Sequence, residues 1–204
     1  VGISFSWEVG KAYFVGLSDK AKKSAAGNEK KLDAGLVLNK LKPIFENEKI
    51  KKTAQNIKYE YVVLANYGIS LKGISFDTMV ASYLLNPSKL NHNLEDISIE
   101  YLGHKMTTPI EDLIGKGKNA ITMDKVEIEK VSRYCCEDSD VTLRLKKILD
   151  KEISKKDLDA LFYDVEIPLI EVLATMEMNG VAIDKKYLAE LSEEMDKKLK
   201  KLTE

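Results

Sequence analysis

The stretch RYCCEDSDVT, Arg133 to Thr142, decides the reading of this chain. It places Tyr134 four residues before Asp138. On a helix that spacing stacks both side chains on one face, about one turn apart. A carboxylate there can hold a divalent cation, and a phenol one turn away can steer a cation-bound water. Many helices carry Tyr and Asp at this spacing, and the cluster Glu137, Asp138 and Asp140 also fits a wet helix face. The pair gains weight from a second stretch upstream, AQNIKYEYVVLANYGI, Ala54 to Ile69.

Outward from these two stretches the chain alternates strand and helix signals. Val1 to Trp7 and Lys11 to Leu17 read as short strands joined by Glu8-Val9-Gly10. Ser18 to Lys30, polar, lysine-rich and holding Gly27, predicts a loop. A helix capped by Asn28 or a neighbour is expected to run to about Asn47. Leu32, Leu36, Leu38, Leu41 and Phe45 recur along it at helical spacing, and Pro43 kinks or ends it. The pattern then predicts a strand over Ile50 to Thr53, a helix over Ile57 to Tyr67 stopped by Gly68, and a strand over Leu71 to Ser75. Helices are expected over Asp77 to Leu85 and Asn93 to Tyr101, and a loop over Met106 to Ala120. Met123 to Leu149 reads as a long helical region carrying Tyr134 and Asp138. Leu158 to Met178 is an apolar helical run with Pro168 as a kink or restart. Lys185 to Leu202 closes the chain as an amphipathic helix, with Leu188, Leu191, Met195, Leu199 and Leu202 on one stripe. Without neighbours that stripe is expected to dimerise or fray. Strands followed by alternating helix and strand give an α/β domain.

The composition sets bounds on function. The 204 residues are 44% hydrophobic and 32% charged, with a net charge of -1, so overall charge supplies no attraction to nucleic acid. A nucleic-acid role must rest on local lysines. No stretch is long and apolar enough to span a membrane, and no signal peptide is visible. Cys135 and Cys136 are adjacent and cannot form an ordinary bridge; reduced thiols fit a cytoplasmic setting, where both read as small apolar helix residues.

QNIKYE, Gln55 to Glu60, and the Tyr134–Asp138 pair resemble the second and third motifs of the 3′→5′ exonuclease (proofreading) domain of bacterial family-A DNA polymerases, the DNA polymerase I type. The segments between them match in order: FDTMVASYLLNP, Phe76 to Pro87; LNHNLEDISIEYLGHK, Leu90 to Lys105; and IGKGKN, Ile114 to Asn119. VEIPLIEVLATMEMNGVAID, Val165 to Asp184, resembles the family's entry into the polymerase region. The resemblance implies a ribonuclease-H-like fold, a mixed sheet flanked by helices. It implies an exonuclease-like domain over residues 1–157 and the helical start of the polymerase region over residues 158–204. The expected setting is cytoplasmic and nucleoid-associated, in replication and repair, as a monomer.

By that resemblance, Tyr134, Asp138 and Glu60 are the catalytic candidates, and Asp138 and Glu60 the metal ligands for Mg²⁺ or Mn²⁺. Phosphodiester hydrolysis needs an attacking hydroxide and a stabilised leaving alkoxide, which two cations about 4 Å apart supply. The related enzymes use four acids and one tyrosine, two of the acids forming an Asp-x-Glu pair on the first strand. No such pair stands at this chain's start, so the sequence is expected to begin inside the domain, its first strand missing. Glu60 replaces the family's aspartate and is longer by one methylene, which leaves it either a ligand or a degenerate position. The chain alone is therefore expected to show little exonuclease activity.

The implied partners are the 3′ end of single-stranded DNA and the polymerase domain of the same parent chain. Gln55, Asn56 and Tyr59 match positions near the terminal nucleotide, where amides meet phosphate or sugar oxygens and an aromatic stacks. Asn56 also reads as a helix cap for Ile57 onward. Lys116 and Lys118 either track a phosphate or simply form a flexible basic loop. His92 reads as a packing or polar contact. Ile110 stands where the family often has an aromatic that wedges against a base. The alternative reading is a catalytically inactive domain that serves as a structural and DNA-positioning module.

Overall fold

Two strands open the chain, β1 (Gly2–Glu8) and β2 (Lys11–Ser18), paired antiparallel with Phe5 opposite Tyr13. The turn between them uses Gly10 at φ 81°, a left-handed conformation that costs glycine little. The computed structural model of the chain describes residues 1–18 and 32–203. The loop expected over Ser18 to Lys30 and the cap expected at Asn28 fall almost wholly outside the described residues.

The next helix begins later than the periodicity predicts. Leu32 and Asp33 form a short strand, β3 (Leu32–Asp33), parallel to the end of β2. Helix α1 (Ala34–Phe45) starts after it, and the Asp33 carboxylate caps it by accepting from Leu36 N at 2.8 Å. Leu32 therefore belongs to a strand, although its spacing fits the helix stripe. Pro43 sits in the last turn, and the helix ends two residues on.

A β–α–β unit follows. Strand β4 (Lys52–Ala54) runs parallel to β5 (Ile74–Asp77), with helix α2 (Ile57–Asn66) crossing between them. The second strand lies further along than expected. Gly73, at φ 71°, holds the chain out of extended geometry just before Ile74, and a side chain there would lie 2.6 Å from Ile50 O. Helices α3 (Thr78–Leu85) and α4 (Leu94–Leu102) come next, the latter capped by Asn93 and closed by Gly103. The stretch expected as a loop instead holds a short helix, α5 (Ile110–Ile114), and a 3₁₀ turn at Gly117–Asn119. Both are too short to show periodicity.

Helix α6 (Ile128–Lys155) organises the domain. It packs on β1, β2, β4, α3, α4 and α5. The strands form two sheets, β1-β2-β3 and β4-β5, and α6 lies against both. Its inner stripe contributes Val131, Val141, Leu145, Leu149 and Ile153, each at most 1% exposed. Phe76 and Phe162 meet beneath it, ring centroids 4.8 Å apart. Fully burying side chains of this size contributes about 1.5–3 kcal/mol each.

Past α6 the chain turns at Asp157 and enters a π-helical stretch, Leu161–Glu166, then helix α7 (Ile167–Asn179). The wide turn lies just before Pro168. A proline has no N–H to donate and its ring crowds the carbonyl four residues back, so the backbone widens instead of continuing as a regular helix. The described chain divides into two compact units, Val1–Ala174 and Thr175–Glu204. In the first, Phe162, Ile167, Ile170 and Ala174 join the core, and Tyr61 donates its hydroxyl to Glu171 at 3.2 Å. The second holds helix α8 (Lys185–Thr203), on which Leu188, Met195, Leu199 and Leu202 are exposed.

Candidate active site

The site grows from the two helices that carry the motifs. Helix α2 starts at Asn56, whose backbone is left-handed, φ 63° and ψ 54°. Asparagine tolerates that conformation better than most residues. Its side chain makes no capping bond; the cap comes from Asp77, 1% exposed, at the end of β5. The Asp77 carboxylate accepts Ile57 N at 2.7 Å and Asn56 N at 3.2 Å from α2. It also accepts Met79 N at 2.8 Å and Val80 N at 3.2 Å from α3. One buried carboxylate thus closes the N-termini of two helices, where the helix dipoles favour negative charge. Burial pushes the Asp77 carboxyl above its ordinary range, against the pull of those four amides.

Glu60 lies one turn into α2, on the side that buries Ile57, Tyr61 and Leu64. Its Oε2 is buried and has no hydrogen-bond partner. Burial drives its carboxyl up to about 7, and the charge of Asp77 adds to the rise. Desolvation of a buried carboxylate has this effect.

On α6, the Tyr134 phenol and the Asp138 carboxylate stand one turn apart and act on each other's ionisation. Burial raises Asp138 to about 6, opposed by the nearby Tyr134 hydroxyl. Burial and the adjacent Asp138 charge raise the Tyr134 phenol, so it stays a proton donor at any physiological pH. Cys135, half-buried beside Asp138, is pushed up to about 11 and is an inert thiol. The next turn fastens α6 to the hairpin: Ser139 Oγ lies 2.7 Å from Ser4 Oγ, and Asp140 accepts Gly10 N at 2.6 Å.

The structure sets Tyr134 and Asp138 one turn apart on α6. Glu60 has Asp77 as its influential charged neighbour, and Asp138 is not among the groups that shift it. Among the described residues no three His, Cys, Asp or Glu side chains gather closely enough to hold a metal ion. Gln55 uses both ends of its amide inside the protein: Nε2 donates to His92 O at 2.7 Å, and Oε1 accepts from Thr78 Oγ1 at 2.5 Å. His92 is a polar packing residue, its Nδ1 2.9 Å from Ser82 Oγ and its ring edge-on to Tyr83. Tyr59 is 65% exposed. Lys116 is fully exposed and paired with Glu111, and Lys118 sits in the exposed 3₁₀ turn. The sequence reading missed Asp77 as the shared cap and Glu137, which lies beside Asp138 and is tied to another segment.

Two solved structures share this architecture. The POL domain of Pol1 from M. smegmatis, in complex with DNA primer-template and dNTP, matches with a TM-score of 0.62. That match covers 79% of this chain and 24% of that one at 23% identity. Brucella melitensis NrnC matches at 0.57 over 76% and 68%, at 17% identity. A β–α–β unit beside an antiparallel hairpin, with one helix packed on both, is a ribonuclease-H-like arrangement. A family model described as 3′-5′ exonuclease matches residues 3–154, and the chain belongs to that family, in the form carried by bacterial DNA polymerase I. DNA polymerase I of Pseudomonas aeruginosa is 38% identical over 202 residues, 98% of this chain and 22% of that protein. That of Rhizobium leguminosarum is 39% identical over 158 residues, 78% and 15%. The chain thus spans between 15% and 22% of the length of these relatives.

Proposed function

We propose that this chain forms most of a proofreading domain that removes 3′-terminal nucleotides from single-stranded DNA, as part of a DNA polymerase I. The observation that carries the reading is the Tyr134–Asp138 pair, one turn apart on the helix that packs on both sheets, each side chain shifting the other's ionisation. In this reading residues 1–157 are the exonuclease part and residues 158–204 the helical start of the polymerase part; the family match ends at residue 154. The compact unit reaches further, to Ala174, because Phe162, Ile167 and Ile170 bury against the exonuclease core.

Glu60 and Asp138 would hold the divalent cation, Mg²⁺ or Mn²⁺. The fit is one of donor chemistry: Glu60 Oε2 is a buried, unpartnered hard oxygen, and Asp138 is a half-buried carboxylate one turn from Tyr134. A bound cation there supplies charge stabilisation and an acidified water. The chain's own residues do the rest. Tyr134 keeps its proton and donates it as a hydrogen bond, which holds Asp138 and orients an attacking water. Asn56 and the exposed Tyr59 meet the terminal nucleotide. Gln55 acts through position, since its amide already joins α2 to His92 and Thr78. Lys116 and Lys118 meet backbone phosphate from the α5 side.

The 204 residues hold two of the four acids that the related enzymes use, so by themselves they trim DNA slowly or not at all. The test is a 5′-labelled single-stranded oligonucleotide incubated with Mg²⁺ and the full-length natural protein that contains this chain. Shortening from the 3′ end that is lost in Asp138→Ala supports the reading; shortening indifferent to Asp138→Ala sinks it. A second reading, an inactive DNA-positioning module, draws on Glu60 in the aspartate position and on the lack of a three-ligand cluster among the described residues. It predicts oligonucleotide binding with no Mg²⁺-dependent shortening. Both readings place the protein in the cytoplasm, with the nucleoid and its own polymerase domain as partners.

A further inference from the structure

Glu137 stands beside Asp138 in the sequence but serves another segment. Its carboxylate accepts Thr107 N at 2.9 Å and 3.1 Å, Thr107 Oγ1 at 2.8 Å and His104 Nε2 at 2.9 Å. All three donors come from the irregular stretch between α4 and α5. That stretch is held elsewhere by Met106, 5% exposed in the core, and by Ser98 Oγ donating to His104 O. A glutamate on a helix shoulder ordinarily faces water; here it collects three donors from one loop. The side chain is 17% exposed, so these charge-assisted bonds are sheltered from solvent and stronger than surface pairs.

We infer that Glu137 is a positioning residue: it clips the 104–107 segment to α6 within one turn of Tyr134 and Asp138. In that role the clipped segment is one wall of the approach that the terminal nucleotide takes to the pair. Glu137 follows Tyr134 by three residues and precedes Asp138 by one, so it flanks the face bearing that pair. The residues after the clip, Thr108 to Ile110, lead directly into α5, and Ile110 is 44% exposed at its start. The α5 helix in turn packs on α6. With the clip intact, this wall stands at a fixed distance from the acid–phenol pair. With it removed, the segment swings on Gly103 and the α5 connection, and the wall loses its register with the pair. Glu137 touches neither water nor cation in this scheme, so its effect falls on substrate placement. The inference rests on the exonuclease reading above.

Two measurements test it, on the full-length natural protein that contains this chain, with a 5′-labelled oligothymidylate as probe. Glu137→Ala is expected to speed amide hydrogen exchange at residues 104–108 and 110 about tenfold or more, as loss of charge-assisted bonds dictates. Amides of α6 from Ser139 to Leu149 should keep their protection. In steady-state trimming the same variant should raise KM about tenfold with kcat within about twofold. Glu137→Gln keeps an acceptor for Thr107 and should recover most of the loss. Thr107→Val, which removes one donor, should show a smaller rise in KM. Unchanged KM in Glu137→Ala overturns the inference, as does a fall in kcat at constant KM, which would place Glu137 in the chemistry. Wild-type protein that neither binds nor shortens the probe overturns the exonuclease reading, and this one with it. A working wild type matched by the variant overturns the clip alone.

Discussion

The Asp77 carboxylate accepts the backbone N–H of Ile57 at 2.7 Å, and through this bond the end of β5 sets the start of α2. The two residues lie twenty positions apart in sequence. The same carboxylate closes α3, so the helix that carries Tyr59 and Glu60 and follows Gln55 and Asn56 inherits its position from a residue outside that motif.

Replacing Asp77 by alanine should therefore cost about 2–4 kcal/mol, since four amides lose their acceptor in a buried setting. Asp77→Asn, which keeps one carbonyl oxygen, should cost roughly half as much. Urea unfolding followed by circular dichroism measures both, and equal losses would show that the charge matters and the geometry does not.

Tyr134→Phe removes the phenol hydroxyl one turn from Asp138 while leaving the ring in place. In the full-length natural protein it should slow 3′ trimming roughly ten- to a hundredfold, and Asp138→Ala about a thousandfold, as typical for lost orienting and electrostatic groups. Single-turnover trimming assays read both. Tyr134→Phe should leave the unfolding midpoint nearly unchanged, because Tyr134 is only half-buried.

The metal-free chain should become less stable as pH rises through the neutral range. Glu60 stands at about 7 and Asp138 at about 6, above their ordinary values of 4.5 and 3.8. Each favours the folded state only while protonated. Their contribution is complete below the ordinary values and is lost as pH passes through 6 and 7. Between about pH 5 and pH 8 the loss should be on the order of 1–3 kcal/mol for each. Denaturant unfolding with a chelator present measures the slope. Glu60→Gln should flatten it, and a stability that climbs over this range would contradict the burial of both carboxyls.

Glu60→Asp shortens the side chain by one methylene. If reach limits cation binding at this position, the variant should bind Mn²⁺ about tenfold more tightly, a difference of ~1.4 kcal/mol. Calorimetric titration of Mn²⁺ into each form decides the point. Weaker binding by the aspartate would show that the longer arm suits this pocket.

Parts of this structure were legible in the sequence because they obey local periodicity. The hairpin alternates, α2 and α4 carry their stop signals, and Tyr134 and Asp138 fall one turn apart. The acids also stand out by position: Asp138 interrupts the inner stripe between Val131 and Leu145, and Glu60 lies between Ile57 and Leu64. The rest was set by distant partners. Leu32 fits a helix stripe, yet pairing with Leu17 draws it into a strand and leaves Asp33 to start α1. The long helix was expected from Met123, but Met123–Lys125 is a separate 3₁₀ turn and α6 runs from Ile128 to Lys155. Asp77 and Glu137 took their roles from amides 20 to 30 residues away, which no local pattern displays.

The arrangement of α6 across two sheets that share no ladder makes it the keel of the domain. A force or a mutation that bends the keel tilts the hairpin and the β–α–β unit relative to each other. The acid–phenol pair rides amidships, so any such tilt is felt first at the point where the chemistry would occur. A proline inserted near Arg144 should therefore silence the site even if each sheet keeps its own pairing.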